Sequence, residues 1–108
     1  MRTDEGRFVW IFVMFDLPVV TKTERRAATK FREFLLDDGF LMIQFSIYAR
    51  ACQEEAADKH IARVTKQLPP AGSVRILQIT DAQYARMKVL IGRVTENEKL
   101  ASKQLILL

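Results

Sequence analysis

The run from Phe8 to Asp16, FVWIFVMFD, constrains this chain more than any other stretch. Eight consecutive apolar residues end in one carboxylate. A membrane-spanning helix needs about twenty such residues, so the run is too short to span a bilayer. Its aromatic and β-branched content favours a strand over a buried helix. Successive side chains of a strand point to opposite faces, so this strand is apolar on both and each face needs a cover. Asp16 sits where the strand stops and the chain turns toward Pro18. Two readings fit it: a turn or cap residue ahead of the proline, or a functional carboxylate at a strand end.

A basic helical pattern follows. Thr21 and Glu24 have the spacing of a capping box. The predicted helix runs from there to about Asp38, and Gly39 stops it. Ala27, Ala28, Phe31, Phe34 and Leu35 form its apolar stripe. Lys22, Arg26 and Lys30 form a second stripe, with Arg25 and Arg32 at its sides. Between positions 22 and 32 five cations face one acid, Glu24, a surplus equal to the whole net charge of +4. The chain is mildly basic, with a pI of about 9.5. Charge concentrated this way suits a polyanionic partner, and a solvated helix face is the plainer alternative. A second acid-free stretch, 82–94, carries Arg86, Lys88 and Arg93.

Residues 40–52, FLMIQFSIYARAC, read as β structure, either one long strand or two broken near Gln44. Glu54 and Glu55 then favour a helix start. Ala57, Ile61, Val64 and Leu68 form the stripe of this helix, and Pro69 and Pro70 end it. Residues 73–80, SVRILQIT, are a further strand. Residues 81–87 suit one helical turn capped by Thr80 or Asp81. Residues 88–91, KVLI, read as a short last strand closed by Gly92. The tail is polar over 95–99 and apolar over 105–108.

With the middle segment as two strands, the order matches a ferredoxin-like βαββαβ sandwich of the α+β class, with an extra C-terminal strand. One domain spans 1–108, with its core at about 8–92 and a tail at 93–108. Both helices of that fold lie on one face of the sheet. The other face is bare in a monomer, and a two-fold homodimer packed sheet against sheet covers it. The extra strand and the apolar tail then add to the partner's sheet edge.

Hydrophobic residues make up 49 %, enough for a core, which excludes global disorder. A single cysteine, Cys52, excludes an internal disulfide and any multi-cysteine metal site, and it fits a reducing cytoplasm. The opening MRTDEGR is polar, and no small-residue cleavage site follows the apolar run, which speaks against a secretory signal. His60 is the only histidine, so a histidine-rich metal centre is excluded, and it reads as a packing or surface residue. The four glycines are scattered and form no phosphate-binding loop. Phe45 and Tyr48 read as core aromatics ahead of base-stacking groups.

Asp16 remains as the candidate for chemistry. One carboxylate holds a hard cation such as Mg²⁺ only with waters and other oxygens. A two-fold axis near the end of the first strand would bring in a second Asp16. The resulting dicarboxylate, lined by basic helix residues, suits metal-assisted phosphodiester hydrolysis, and equally plain binding of a nucleic-acid backbone.

The segments FVMFDLP, ERRAATKFREFLLDDGF, IQFSIY and VRILQITDAQYARM resemble the CRISPR-associated protein two family, the small subunit of the spacer-acquisition complex. Their wording is most like that of members from type II systems. The likeness runs over about 8–92 and continues weakly in SKQLILL. It implies a ferredoxin-like homodimer with metal-dependent endonuclease or endoribonuclease activity, usually with Mg²⁺. It also implies a part in antiviral defence, in which the dimer bridges two dimers of the CRISPR integrase and holds double-stranded DNA. Single-stranded RNA is the other nucleic acid implied. By this likeness the catalytic and metal aspartate falls on Asp16. Lys22, Arg25, Arg26, Lys30 and Arg32 fall in the nucleic-acid-binding stretch, Arg25 and Arg26 on the family's basic positions. The accessory candidates are Ser46, on the family serine, and Phe40, on the aromatic after the helix glycine.

One departure stands out. Many members carry an acid shortly after the serine, where this chain has Tyr48, Ala49 and Arg50. A toxin-type ribonuclease of related fold is the rival enzyme class. A non-catalytic nucleic-acid-binding module is the rival binding class, although the aromatic-rich sheet motif of RNA-recognition domains is missing.

Overall fold

A computed structural model describes residues 7–92 and 96–107, apart from the side chains at 101, 102 and 104–107. The lead-in before Arg7, Arg93 of the second basic stretch and the apolar side chains at 105–108 therefore lie outside the described residues.

Strand β1 (Phe8–Asp16) lies inside a four-stranded antiparallel sheet of order β2-β3-β1-β4. Its neighbours are β3 (Ile47–Gln53) and β4 (Ser73–Thr80), and β2 (Leu41–Gln44) flanks β3. The 40–52 segment is thus two strands joined at Phe45 and Ser46. Helix α1 (Lys22–Asp37) links β1 to β2. A 3₁₀ turn, Glu54–Ala56, leads into α2 (Ala57–Lys66), which links β3 to β4. This is the ferredoxin-like α+β arrangement.

The alternation of β1 builds two cores. Val9, Ile11, Val13 and Phe15 pack against Phe31 and Leu35 of α1 and Ala57 and Val64 of α2. Trp10 and Phe12 point the other way and cluster with Ala49 and Ala51. The ends of α1 follow the expected chemistry. The Glu24 N–H donates to Thr21 Oγ1 at 3.1 Å, and the Thr21 N–H donates to Glu24 Oε1 at 2.9 Å. At the other end the Gly39 N–H donates to the Leu36 carbonyl and the Phe40 N–H to the Leu35 carbonyl. That pair of bonds is a Schellman stop, and Gly39 supplies the positive φ of 92° it needs. Leu35 and Phe40, both fully buried, staple it from the core side.

Several expectations need correction, among them Phe45, which reads from sequence as a core aromatic but is 90 % exposed. Residues 88–91 form no strand: the segment is irregular, Leu90 and Ile91 are 90 % and 94 % exposed, and among the described residues no sheet edge pairs with them. A strand must exchange hydrogen bonds with a neighbour, and this one finds none among the described residues. The tail is a helix, α4 (Glu96–Leu107), rather than a strand-like extension. Leu68 lies past the end of α2 and is 47 % exposed, outside the core stripe. The prolines that follow push the preceding chain out of helical conformation.

The second face of the sheet is also not bare. The chain covers part of it with α3 (Asp81–Ala85) and α4. The Tyr84 ring stacks on Trp10 at 3.8 Å and 11° between planes. Trp10 Nε1 donates to Asp81 Oδ1 at 2.8 Å, and Tyr84 Oη donates to Glu98 Oε2 at 2.9 Å. Burial, with the Glu98 bond second, raises the Tyr84 pKa, so the hydroxyl stays a donor. Asn97 Nδ2 donates to the Met42 carbonyl at 2.6 Å, which holds α4 over β2. Toward Asp16 the cover thins: Met14 and Ile47 are half-buried and Leu77 is exposed.

Candidate nucleic-acid interface

Asp16 is exposed at the last position of β1 and, by strand alternation, shares the face of Trp10 and Phe12, away from α1. Its register partner on β4 is Ser73. Gly72 makes that approach feasible. A Cβ there would lie 2.7 Å from the Asp16 carbonyl oxygen, and the residue holds φ at +107°. Only glycine meets both demands without strain. On the other side the Phe15 N–H donates to the Ser46 carbonyl at 3.0 Å, so the hairpin tip is tied to the same sheet end. Asp16 and Ser46 therefore lie at the same end of the sheet. Arg75, exposed and paired in register with Met14, lies on the same face. Sequence reasoning passed over both Gly72 and Arg75. The PPAG stretch signals a turn, but nothing in it names Asp16 as the neighbour.

The basic residues lie on α1. Lys22, Arg25, Arg26, Thr29, Lys30 and Glu33 line one open surface. Lys22, Arg26 and Lys30 are exposed, as the i, i+4, i+8 spacing requires. Arg25 Nη1 donates to the Val19 and Val20 carbonyls at 3.1 and 2.7 Å, so its guanidinium also braces the loop that joins β1 to α1. Arg32 is half-buried and lies outside that surface. Because Asp16 shares the face opposite α1, one chain does not line its carboxylate with the helix cations as the sequence suggested.

Phe40 is fully buried in the helix-side core, where it serves the helix stop rather than a surface. Arg50, in the segment where the family resemblance led to the expectation of an acid, has a structural task. Its Nη1 donates to the Asp38 carbonyl, and Arg63 Nε donates to Asp38 Oδ1 at 2.8 Å. His60 Nδ1 lies 3.1 Å from Asp38 Oδ2 and 2.9 Å from Arg63 Nη2. Burial lowers the pKa of both Arg50 and His60, and burial raises that of the Cys52 thiol. A neutral ring accepts from Arg63 through a bare Nδ1, whereas a protonated Nδ1 donates to Asp38. The network ties the end of α1 to α2 and β3. His60 is a buried packing residue, as its place beside Ile61 suggested.

The donor set for a metal is thin within one chain. Asp16 brings one carboxylate, and among the described residues no group of three or more His, Cys, Asp or Glu side chains converges. That falls short of the six or more oxygens a hard cation takes, unless waters or a second copy complete the set. Among the described residues no helix is long and apolar enough to cross a membrane.

Comparison with known proteins agrees with this architecture. Residues 9–87 match the family described as CRISPR associated protein Cas2. A protein of Acidovorax ebreus named CRISPR-associated endoribonuclease Cas2 is 52 % identical over 90 residues, covering 82 % of this chain and 88 % of the relative. A namesake from Flavobacterium psychrophilum is 44 % identical over 105 residues, covering 96 % and 91 %. One from Campylobacter jejuni is 42 % identical over 97 residues, covering 89 % and 68 %. With the sheet order, the strand-end aspartate and the basic helix in place, the chain belongs to the CRISPR-associated Cas2 family.

Proposed function

We propose that this chain serves in the acquisition of new CRISPR spacers, in antiviral defence, as the subunit that holds nucleic acid. The observation that carries this reading is the open basic surface of α1, with Lys22, Arg26 and Lys30 exposed in one row on a chain of this family. Such a row neutralises successive phosphates and releases their counterions, which gives affinity without base preference. Double-stranded DNA is the proposed ligand. Arg25 keeps the start of the row rigid by bracing the loop beneath it.

The working unit is a homodimer that bridges dimers of the CRISPR integrase. What supports the dimer is apolar surface left without cover: Leu77 on the sheet, and Val89, Leu90 and Ile91 beyond α3. The 88–91 segment would find in a partner's sheet edge the hydrogen-bonding neighbour it lacks among the described residues. A second copy would also supply the second Asp16 that a Mg²⁺ site needs, the carboxylates together holding the cation with water. Bound there, the metal would supply Lewis acidity for phosphodiester cleavage, the activity named in the relatives.

Asp16→Asn separates the two parts of this reading. The change keeps size and shape, so fold and dimer should persist. Spacer acquisition in cells should continue, because the α1 surface carries the binding. Divalent-dependent cleavage, assayed on RNA and DNA, should drop by orders of magnitude. Loss of acquisition by a folded, dimeric Asp16→Asn protein that still binds its integrase would contradict the scaffold reading.

A further inference from the structure

The tip of the β2–β3 hairpin carries an aromatic ring that the fold leaves unused. Phe45 is 90 % exposed, and it is the only exposed aromatic ring among the described residues. Burial of a phenyl ring is among the larger gains a side chain offers, so the fold forgoes a substantial one here. The backbone is strained at the same place. Ser46 holds φ at 62°, a left-handed conformation that glycine or asparagine adopts at less cost. The tip is nonetheless anchored, because the Ser46 carbonyl accepts the Phe15 N–H and Ile47 pairs with Met14. Strain held in place around an exposed functional group is characteristic of binding sites.

The surroundings of the ring select its ligand. Cores of protein–protein interfaces are apolar clusters depleted of charge. Phe45 instead has exposed Gln44 on one side and Ser46 on the other. The same end of the sheet carries Asp16 and Ser73, both exposed, and Arg75 lies two residues further along β4. A ring flanked in sequence by Gln44 and Ser46, at the sheet end that also carries Asp16 and Ser73, suits a flat ligand with polar edges and attached phosphates. We infer that Phe45 stacks on an unpaired nucleobase, in a single strand or at a frayed duplex end, with Arg75 as the cation for its backbone. This rests on the nucleic-acid reading above. It adds a contact to base where α1 supplies contacts to phosphate.

The full chain should be titrated with a mixed-sequence single-stranded oligonucleotide containing 2-aminopurine, whose fluorescence responds to stacking. Phe45→Leu keeps apolar bulk but removes the π face, and Phe45→Trp keeps the π face. Phe45→Leu should weaken binding about tenfold and reduce the fluorescence change at saturation. Phe45→Trp should hold the affinity within about twofold of the parent. The salt dependence should stay that of the parent in both variants, because no phosphate contact is lost. Parent-like affinity and fluorescence change in Phe45→Leu would overturn the inference and leave nucleic-acid binding standing. So would a variant whose only defect is a weaker dimer by sedimentation, since the ring would then belong to a protein interface. Failure of the parent chain to bind the oligonucleotide would remove the reading beneath it, and the inference with it.

Discussion

A methyl group at Gly72 would meet the Asp16 carbonyl oxygen at 2.7 Å and would sit at a φ that side chains avoid. Gly72→Ala should therefore cost about 1–3 kcal/mol in urea unfolding, through backbone strain rather than lost packing. Asp38 is the second residue on which much depends. It holds Arg63 Nε and neighbours His60, and its side chain is only 10 % exposed. Asp38→Ala leaves those partners unmatched and should cost about 2 kcal/mol in the same assay, a figure held down because Arg63 still reaches water. His60 adds a pH dependence of defined sign. Burial lowers its folded pKa below 6.5, so the unfolded chain protonates first as the pH falls. The stability contributed by the neutral ring is complete above pH 6.5 and is lost progressively below it. His60→Gln should flatten the stability profile just below pH 6.5, above the range where carboxylates titrate.

Among the elements, α1 and β1 could be read from sequence because their signals are local: a capping box, a glycine stop, and an apolar run too short for a membrane. The β2–β3 break at Phe45 and Ser46 stayed open between two readings because no glycine marks the turn, and Ser46 takes the positive φ instead. The 88–91 segment was misread because its strand-forming side chains are real, while a pairing edge is a property of the assembly rather than of four residues. Helix α4 was missed because its anchors, Asn97 on Met42 and Glu98 on Tyr84, are long-range contacts. The Asp38 network escaped notice for the same reason, since its members come from α2, β3 and the end of α1. Asp16 was legible because a strand end before a proline exposes a carboxylate, whereas its neighbours Ser73 and Arg75 depend on register. Tyr84→Ala tests how far α3 and α4 secure the second face. It removes the ring stacked on Trp10 and the bond to Glu98, and should cost about 3 kcal/mol, with a changed tryptophan signal in near-ultraviolet circular dichroism.

For the molecule as a whole, the exposed apolar side chains at Leu77 and 89–91 and the basic row on α1 make the two proposals testable separately. Sedimentation equilibrium at micromolar concentration should give about twice the 12.5 kDa chain mass. Leu90→Asp with Ile91→Asp should return the chain to a monomer that stays folded, since both side chains are solvent-exposed within one chain, with an unfolding midpoint lowered only by the lost dimer stabilisation. The central claim is that the exposed row on α1 binds nucleic acid through its phosphates. Affinity for a mixed-sequence DNA duplex, measured against salt concentration, tests it most directly in the parent and in the combined Lys22→Ala, Arg26→Ala and Lys30→Ala chain. The account predicts weaker binding of the triple variant on every sequence tried, with the slope of log affinity against log salt reduced by about 2–3 units. Superimposable affinities and slopes for the two proteins would contradict it, and would return the row to an ordinary solvated helix face.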